Sequence, residues 1–215
     1  MKIKGILFDA EDVIYSRDEE TLKPIISFFK ENGLNITTAG FRGAYEEYKL
    51  DVYNGKISKD DHLRKVLEYL KIKHDNIFFE KFANVFRQTY SNIKIKEGVK
   101  VVFEELKQKG IKIGILTDTF ANEKKKWEWF REIGLDKFID SIICSSETGF
   151  TKDKKEAYMI GIKRLGLEPN EVFFVGHQKY EMDGARKAGV KSVSIVWGIG
   201  EDMYIDNLNK IIDLI

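Results

Sequence analysis

Five short apolar runs, each followed at once by polar or charged side chains, constrain this chain more than any other feature. They are Ile6-Leu7-Phe8, Ile113-Gly114-Ile115-Leu116, Ser141-Ile142-Ile143-Cys144, Val172-Phe173-Phe174-Val175 and Val193-Ser194-Ile195-Val196. Each has the length of a strand buried on both faces, which needs no polar alternation. Amphipathic stretches accompany the later runs: Gly98 to Lys109, Asn122 to Ile133, Lys154 to Leu165 and Glu181 to Ala188. Each reads as a helix stopped by a glycine, at Gly110, Gly134, Gly166 and Gly189. Strand alternating with helix predicts an α/β fold built on a doubly wound parallel sheet.

The first gap has a different texture. Four helical stretches fill it, Glu19–Asn32, Thr37–Tyr53, Lys59–Lys71 and Asn76–Ser91, separated by Gly33, Asn54-Gly55 and His74-Asp75. No strand is expected there. The spacing predicts a core of residues 1–15 and 97–215 with a helical subdomain, 16–96, inserted after the first strand. Phe41, Tyr45, Tyr48 and Tyr53 in that insert suit substrate contact and packing between helices equally well.

Composition narrows the function classes. Lys and Arg total 36 against 35 Asp and Glu, a net charge of +1, so no global field favours nucleic acid or an anionic membrane. The apolar run near the start is far too short for a signal sequence or a membrane span. A single cysteine, Cys144, permits no internal disulfide and suits a reducing cytoplasm. It reads as a small buried hydrophobe. His62 and His74 have no partner at ligand spacing and read as surface residues. In Lys124-Lys125-Lys126-Trp127-Glu128-Trp129, an amphipathic helix with one packed tryptophan is favoured over a phosphate-binding patch. The chain has only two prolines, Pro24 and Pro169, neither near the strand-end loops.

In an open parallel sheet, ligands bind beyond the carboxyl ends of the strands. Those positions hold Asp9-Ala10-Glu11-Asp12, Thr117-Asp118-Thr119, the segment Ser145 to Lys152, and Gly176-His177-Gln178-Lys179-Tyr180-Glu181. In this order and spacing the chain resembles the haloacid dehalogenase superfamily, in the subgroup with a helical cap after the first motif. The resemblance covers nearly the whole chain. It implies a Rossmann-like core with the 16–96 insert as the cap. The family's Asp-x-Asp is matched by Asp9 and Glu11, its strand-end hydroxyl by Thr117 and its lysine by Lys152. Its Gly-Asp-x-x-x-Asp is matched by Gly176, His177 and Glu181.

What the resemblance implies is an aspartyl-phosphate chemistry. Asp9 is the nucleophile and Glu11 the acid that protonates the leaving oxygen and then deprotonates water. Residues i and i+2 on a strand point the same way, so both carboxylates can face one substrate. Thr117 and Asp118 are the expected substrate contacts, and Lys152 offsets charge beside Asp9. A divalent metal is implied, magnesium in the family, with Asp9, Glu11, His177 and Glu181 as the expected ligand set. The departures carry weight. Glu11 is one methylene longer than the usual aspartate. His177 is a poor magnesium ligand and suits zinc, cobalt or nickel better, with manganese also possible. Asp12 stands where glycine is usual, and Asp153 where a proline often braces the lysine loop.

Each of these residues also has a plainer reading: a turn cap for Asp9, a solvated acid for Glu11, a surface cation for Lys152 and a hydrogen-bonding loop histidine for His177. The leading expectation is a phosphatase on a small phosphorylated metabolite, as a monomer or a homodimer. The alternatives are a metal-independent 2-haloacid dehalogenase and a catalytically weakened protein that binds a ligand or partner.

Overall fold

The computed structural model describes residues 2–17 and 19–215. Residue 1 of the expected core and residue 18 of the expected insert lie outside the described residues. In chain order the elements are β1 (Gly5–Phe8), β2 (Tyr15–Ser16), α1 (Glu19–Glu31), α2 (Thr38–Glu47), α3 (Lys49–Tyr53), α4 (Lys59–Tyr69), α5 (Asn76–Tyr90) and β3 (Lys94–Ile95). There follow α6 (Val99–Gln108), β4 (Lys112–Thr117), α7 (Glu123–Glu132), β5 (Ser141–Cys144), α8 (Ser145–Thr148), α9 (Lys155–Leu165), β6 (Val172–Gly176), α10 (Lys179–Lys187), β7 (Lys191–Ser194) and β8 (Met203–Tyr204). The described residues divide into two compact units, one of residues up to Ser16 with Ile95–Ile215, the other Arg17–Lys94.

The larger unit is a six-stranded parallel sheet in the order β5-β4-β1-β6-β7-β8. β1 is central, with Phe8 beside Ile115 of β4 on one side and Val175 of β6 on the other. The chain visits β4 and β5 on one flank before crossing to β6, so the winding reverses at β1. That reversal leaves the crevice where such sheets bind ligands. Both faces of β1 are covered. Leu7 enters a cluster with Ile143, Tyr158, Ile162 and Phe174, beneath α9 and α10. Phe8 meets Phe103 of α6 at 5.1 Å between ring centres. Each such side chain contributes about 1.5–3 kcal/mol by leaving water, which holds the strand ends rigid. The fifth apolar run extends past its strand: β7 stops at Ser194, whose Oγ accepts from Val196 N at 2.9 Å and turns the chain.

The smaller unit is helical, and its core is aromatic. Phe29 packs on Phe82 at 5.3 Å, and Tyr45 on Phe86 at 5.8 Å. The expected single helix over Thr37–Tyr53 is two, broken at Tyr48, whose backbone leaves helical geometry. The expectation of a strand-free insert is also corrected, since Lys94 begins the short strand β3. His62 is not a surface residue. It is fully buried on α4 and donates Nε2–H to the Tyr45 carbonyl at 3.0 Å. Burial lowers its pKa, so the ring stays neutral there. Phe41, Tyr45 and Tyr53 are buried packing residues within this unit. Trp129 is the packed tryptophan of α7, and Lys126 on the same helix is buried with its Nζ donating to Tyr15 Oη at 2.7 Å.

Candidate active site

The site assembles on β1 and its two neighbours. Asp9 follows β1 directly, and its N–H donates to Val175 O at 2.8 Å, so the strand pairing continues through it. Its side chain is buried. Lys152, from the loop before α9, donates Nζ–H to Asp9 Oδ1 and to Glu181 Oε1, the latter at 2.5 Å. His177, after β6, places Nδ1 3.1 Å from Asp9 Oδ2 and 3.8 Å from Glu181 Oε2. The 3.1 Å contact lacks the alignment of a full hydrogen bond, and Nδ1 is buried. On the other side of the ring, Nε2 lies 3.1 Å from Gln178 Nε2 and 3.8 Å from Asp12 Oδ2.

Glu181 does two jobs from the first turn of α10. Oε1 takes the Lys152 ammonium, while Oε2 accepts from the backbone N–H of His177 at 2.9 Å and of Gln178 at 3.1 Å. A negative charge at this position also suits the positive end of the helix dipole. Gly176 is required beside it, because a Cβ there would lie 2.5 Å from Glu181 Oε2.

The electrostatics follow from burial and pairing. Burial alone pushes the Asp9 carboxyl up, but Lys152 and His177 outweigh it and hold the group well below the usual carboxylate range. Burial pushes Lys152 down, and Asp9, Glu181 and Asp118 together hold it above the usual lysine range. Burial likewise lowers His177, and the Asp9 carboxylate, with Glu181, reverses this to a net rise. Asp9 is therefore ionised and held between two groups that favour its anion.

Thr117 is the buried last residue of β4, next to β1. Asp118 is not an open contact. Its carboxylate accepts the Lys152 backbone N–H at 3.1 and 3.3 Å and the Tyr180 hydroxyl at 3.1 Å. Burial pushes it up to about 7, against the pull of Lys152 and with help from Glu181 and Asp9. Glu11 begins a tight reversal, in which Asp12 N donates to Tyr15 O at 2.7 Å and Tyr15 N to Ala10 O at 3.1 Å. Asp12 takes a left-handed backbone, φ 62°, the conformation for which glycine is usual.

Among the described residues, one set of three could hold a metal: Asp9, His177 and Glu181, with ligand atoms within 4.8 Å of one another. Glu11, expected as a fourth ligand, is outside that set. The donors present fit a divalent ion that accepts nitrogen. A buried, poorly aligned Nδ1 faces two carboxylates, and Glu181 is already engaged on both oxygens. Magnesium, which prefers an all-oxygen shell, fits this set poorly. Sequence reasoning missed Tyr158, Tyr180 and Gln178. Tyr158 carries an ordinary core signal on α9, and the absent proline after Lys152 was the only hint that another brace was needed.

A buried strand-end carboxylate paired with a buried lysine thus lies beyond the carboxyl end of the central strand of a reversing parallel sheet, where such folds bind ligands. The chain matches the family model "haloacid dehalogenase-like hydrolase" over residues 3–189 and belongs to that family. It is 30% identical to glyceraldehyde 3-phosphate phosphatase of Methanocaldococcus jannaschii, covering 99% of this chain and 97% of the relative. It is 22% identical to pyrophosphatase PpaX of Bacillus cereus, covering 96% and 89%. The fold is that of the HAD hydrolase YfnB of Bacillus subtilis, with TM-score 0.79 and 17% identity over 100% and 99% of the two chains. The protein is thus an enzyme of a hydrolase family with phosphatases among its relatives. Among the described residues, no helix is long and apolar enough to cross a membrane.

Proposed function

We propose that the chain is a phosphatase for a small phosphorylated metabolite, with triose phosphates as the first class to test. The observation that carries this is Asp9: buried, ionised and fixed at a strand end between Lys152 and His177. Asp9 attacks phosphorus as the ester P–O bond breaks, and Glu11 gives the leaving oxygen its proton. Water, deprotonated by Glu11, then attacks the aspartyl-phosphate and releases inorganic phosphate with Asp9 restored. Lys152 neutralises charge beside the reacting carboxylate, and Thr117 donates to a phosphoryl oxygen. A divalent ion held by Asp9 and His177, with Glu181 nearby, supplies positive charge against the phosphoryl oxygens when bound. The imidazole favours cobalt, nickel or zinc for that place.

A panel of phosphate esters, led by glyceraldehyde 3-phosphate and pyrophosphate, tests the reading with each metal in turn and with chelator. Release of phosphate that disappears in Asp9→Asn supports it. Equal release by wild type and Asp9→Asn sinks it. Halide release from 2-haloacids that persists in chelator would replace it with the dehalogenase reading.

A further inference from the structure

The lysine loop lacks the usual proline, yet the Lys152 backbone is held at both ends. Its N–H donates to the Asp118 carboxylate, and Asp118 is in turn fixed by the Tyr180 hydroxyl. Its carbonyl lies 3.0 Å from the Tyr158 hydroxyl, which also reaches the Glu181 carbonyl at 2.7 Å. The same carbonyl is pressed against α10 so closely that a Cβ on Gly184 would lie 1.9 Å from it. Thus the turn of α10 that holds the ammonium through Glu181 also fixes the backbone, through Tyr180 and Gly184. Buried Tyr158 and half-buried Asp118 bond the Lys152 backbone directly, and half-buried Tyr180 holds Asp118, an arrangement of three polar side chains from separate elements that does more than pack.

We propose that Asp118, Tyr180 and Tyr158 are positioning residues that aim the Lys152 ammonium between Asp9 and Glu181. Their role in turnover rests on the phosphatase reading above. Asp118 and Tyr158 bond the Lys152 backbone, and Tyr180 acts on it through Asp118, so on this proposal their loss displaces a charge. A misplacement of about 1 Å at a reacting centre costs on the order of 100-fold in rate. The loss therefore falls on kcat, with KM nearly unchanged. An amide at 118 keeps an oxygen for the Lys152 N–H and a donor for the Tyr180 oxygen, so Asp118→Asn preserves the brace.

The test compares Asp118→Ala, Asp118→Asn, Tyr180→Phe and Tyr158→Phe with wild type. Melting temperature, kcat, KM and the NMR signal of the Lys152 ammonium are measured for each. A buried ammonium fixed by two carboxylates exchanges its protons slowly and is visible without any substrate. The expected result is a 10- to 100-fold fall in kcat for Asp118→Ala, with KM within twofold. About a tenfold fall is expected for each phenylalanine variant, and Asp118→Asn stays within threefold of wild type. The ammonium signal is expected to broaden or shift in every variant except Asp118→Asn. Wild-type kcat in both folded phenylalanine variants, or a fall in melting temperature alone, overturns the proposal. If wild type turns over no phosphate ester, the phosphatase reading fails. The ammonium signal then decides the positioning role on its own: unchanged signals in the phenylalanine variants refute it, and altered ones sustain it.

Discussion

Asp118→Asn makes a quantitative prediction about folding as well as catalysis. The Asp118 carboxyl is pushed up to about 7 by burial, from an ordinary value of 3.8. Between those values the folded chain keeps a proton that the unfolded chain has released. The unfolded state then binds fewer protons, so wild-type stability falls as pH rises through that window. One pKa unit is worth about 1.4 kcal/mol, so the ceiling over about three units is roughly 4 kcal/mol. Asparagine carries no such proton. Relative to wild type, Asp118→Asn should gain nothing below pH 4 and gain steadily from 4 to 7. Above 7 the gain should hold level. Urea unfolding at pH 4, 5.5, 7 and 8, in chelator, reads the difference as a shift in midpoint at constant slope. A difference between the two proteins that stays flat from pH 4 to 8 refutes the reasoning, because it would mean that Asp118 titrates alike folded and unfolded.

Other consequences can be measured separately. His177→Asp restores an oxygen donor, so calorimetric titration should show magnesium affinity rising and zinc or nickel affinity falling at least tenfold. Asp12 holds φ at 62°, and Asp12→Gly should raise the denaturation free energy by about 0.5–1 kcal/mol by relieving that conformation. A drop in stability would show instead that the Asp12 side chain matters more than the backbone. The Cys144 thiol, pushed up to about 12 by burial, should resist a thiol reagent at pH 8 in the folded chain and react within minutes in denaturant.

The strand ends were legible because β1, β4, β5 and β6 are buried on both faces and so announce themselves as unbroken apolar runs. Asp9, Thr117, Lys152, His177 and Glu181 stand out because each follows such a run or its loop. Other features were hidden for definite reasons. The break in α2 and α3 at Tyr48 leaves the apolar spacing almost intact, so periodicity alone joined the two helices. His62 and Lys126 are polar residues satisfied in the interior, by the Tyr45 carbonyl and the Tyr15 hydroxyl. His62 reads as a surface residue from sequence because its partner, the Tyr45 carbonyl, lies on another helix. Asp118 looked like a substrate contact from its place after β4. In the fold its carboxylate is turned to Lys152 N and Tyr180, residues 34 and 62 positions further along the chain.

Glu181 explains how a fold can tolerate so altered a fourth motif. The position sits in the first turn of α10, and its carboxylate serves the helix and the lysine at once. One oxygen caps the N–H groups of His177 and Gln178, and the other takes the ammonium. Buried charges are stable only when paired and hydrogen-bonded, and this single side chain meets both demands, with no atom exposed. An aspartate on the same turn is shorter by one methylene, about 1.5 Å, and could keep one set of partners but not both. Glu181→Asp should therefore free either the helix cap or Lys152. A crystal structure of that variant tells which, and one retaining all three contacts at their present lengths would show that the extra methylene has no structural purpose.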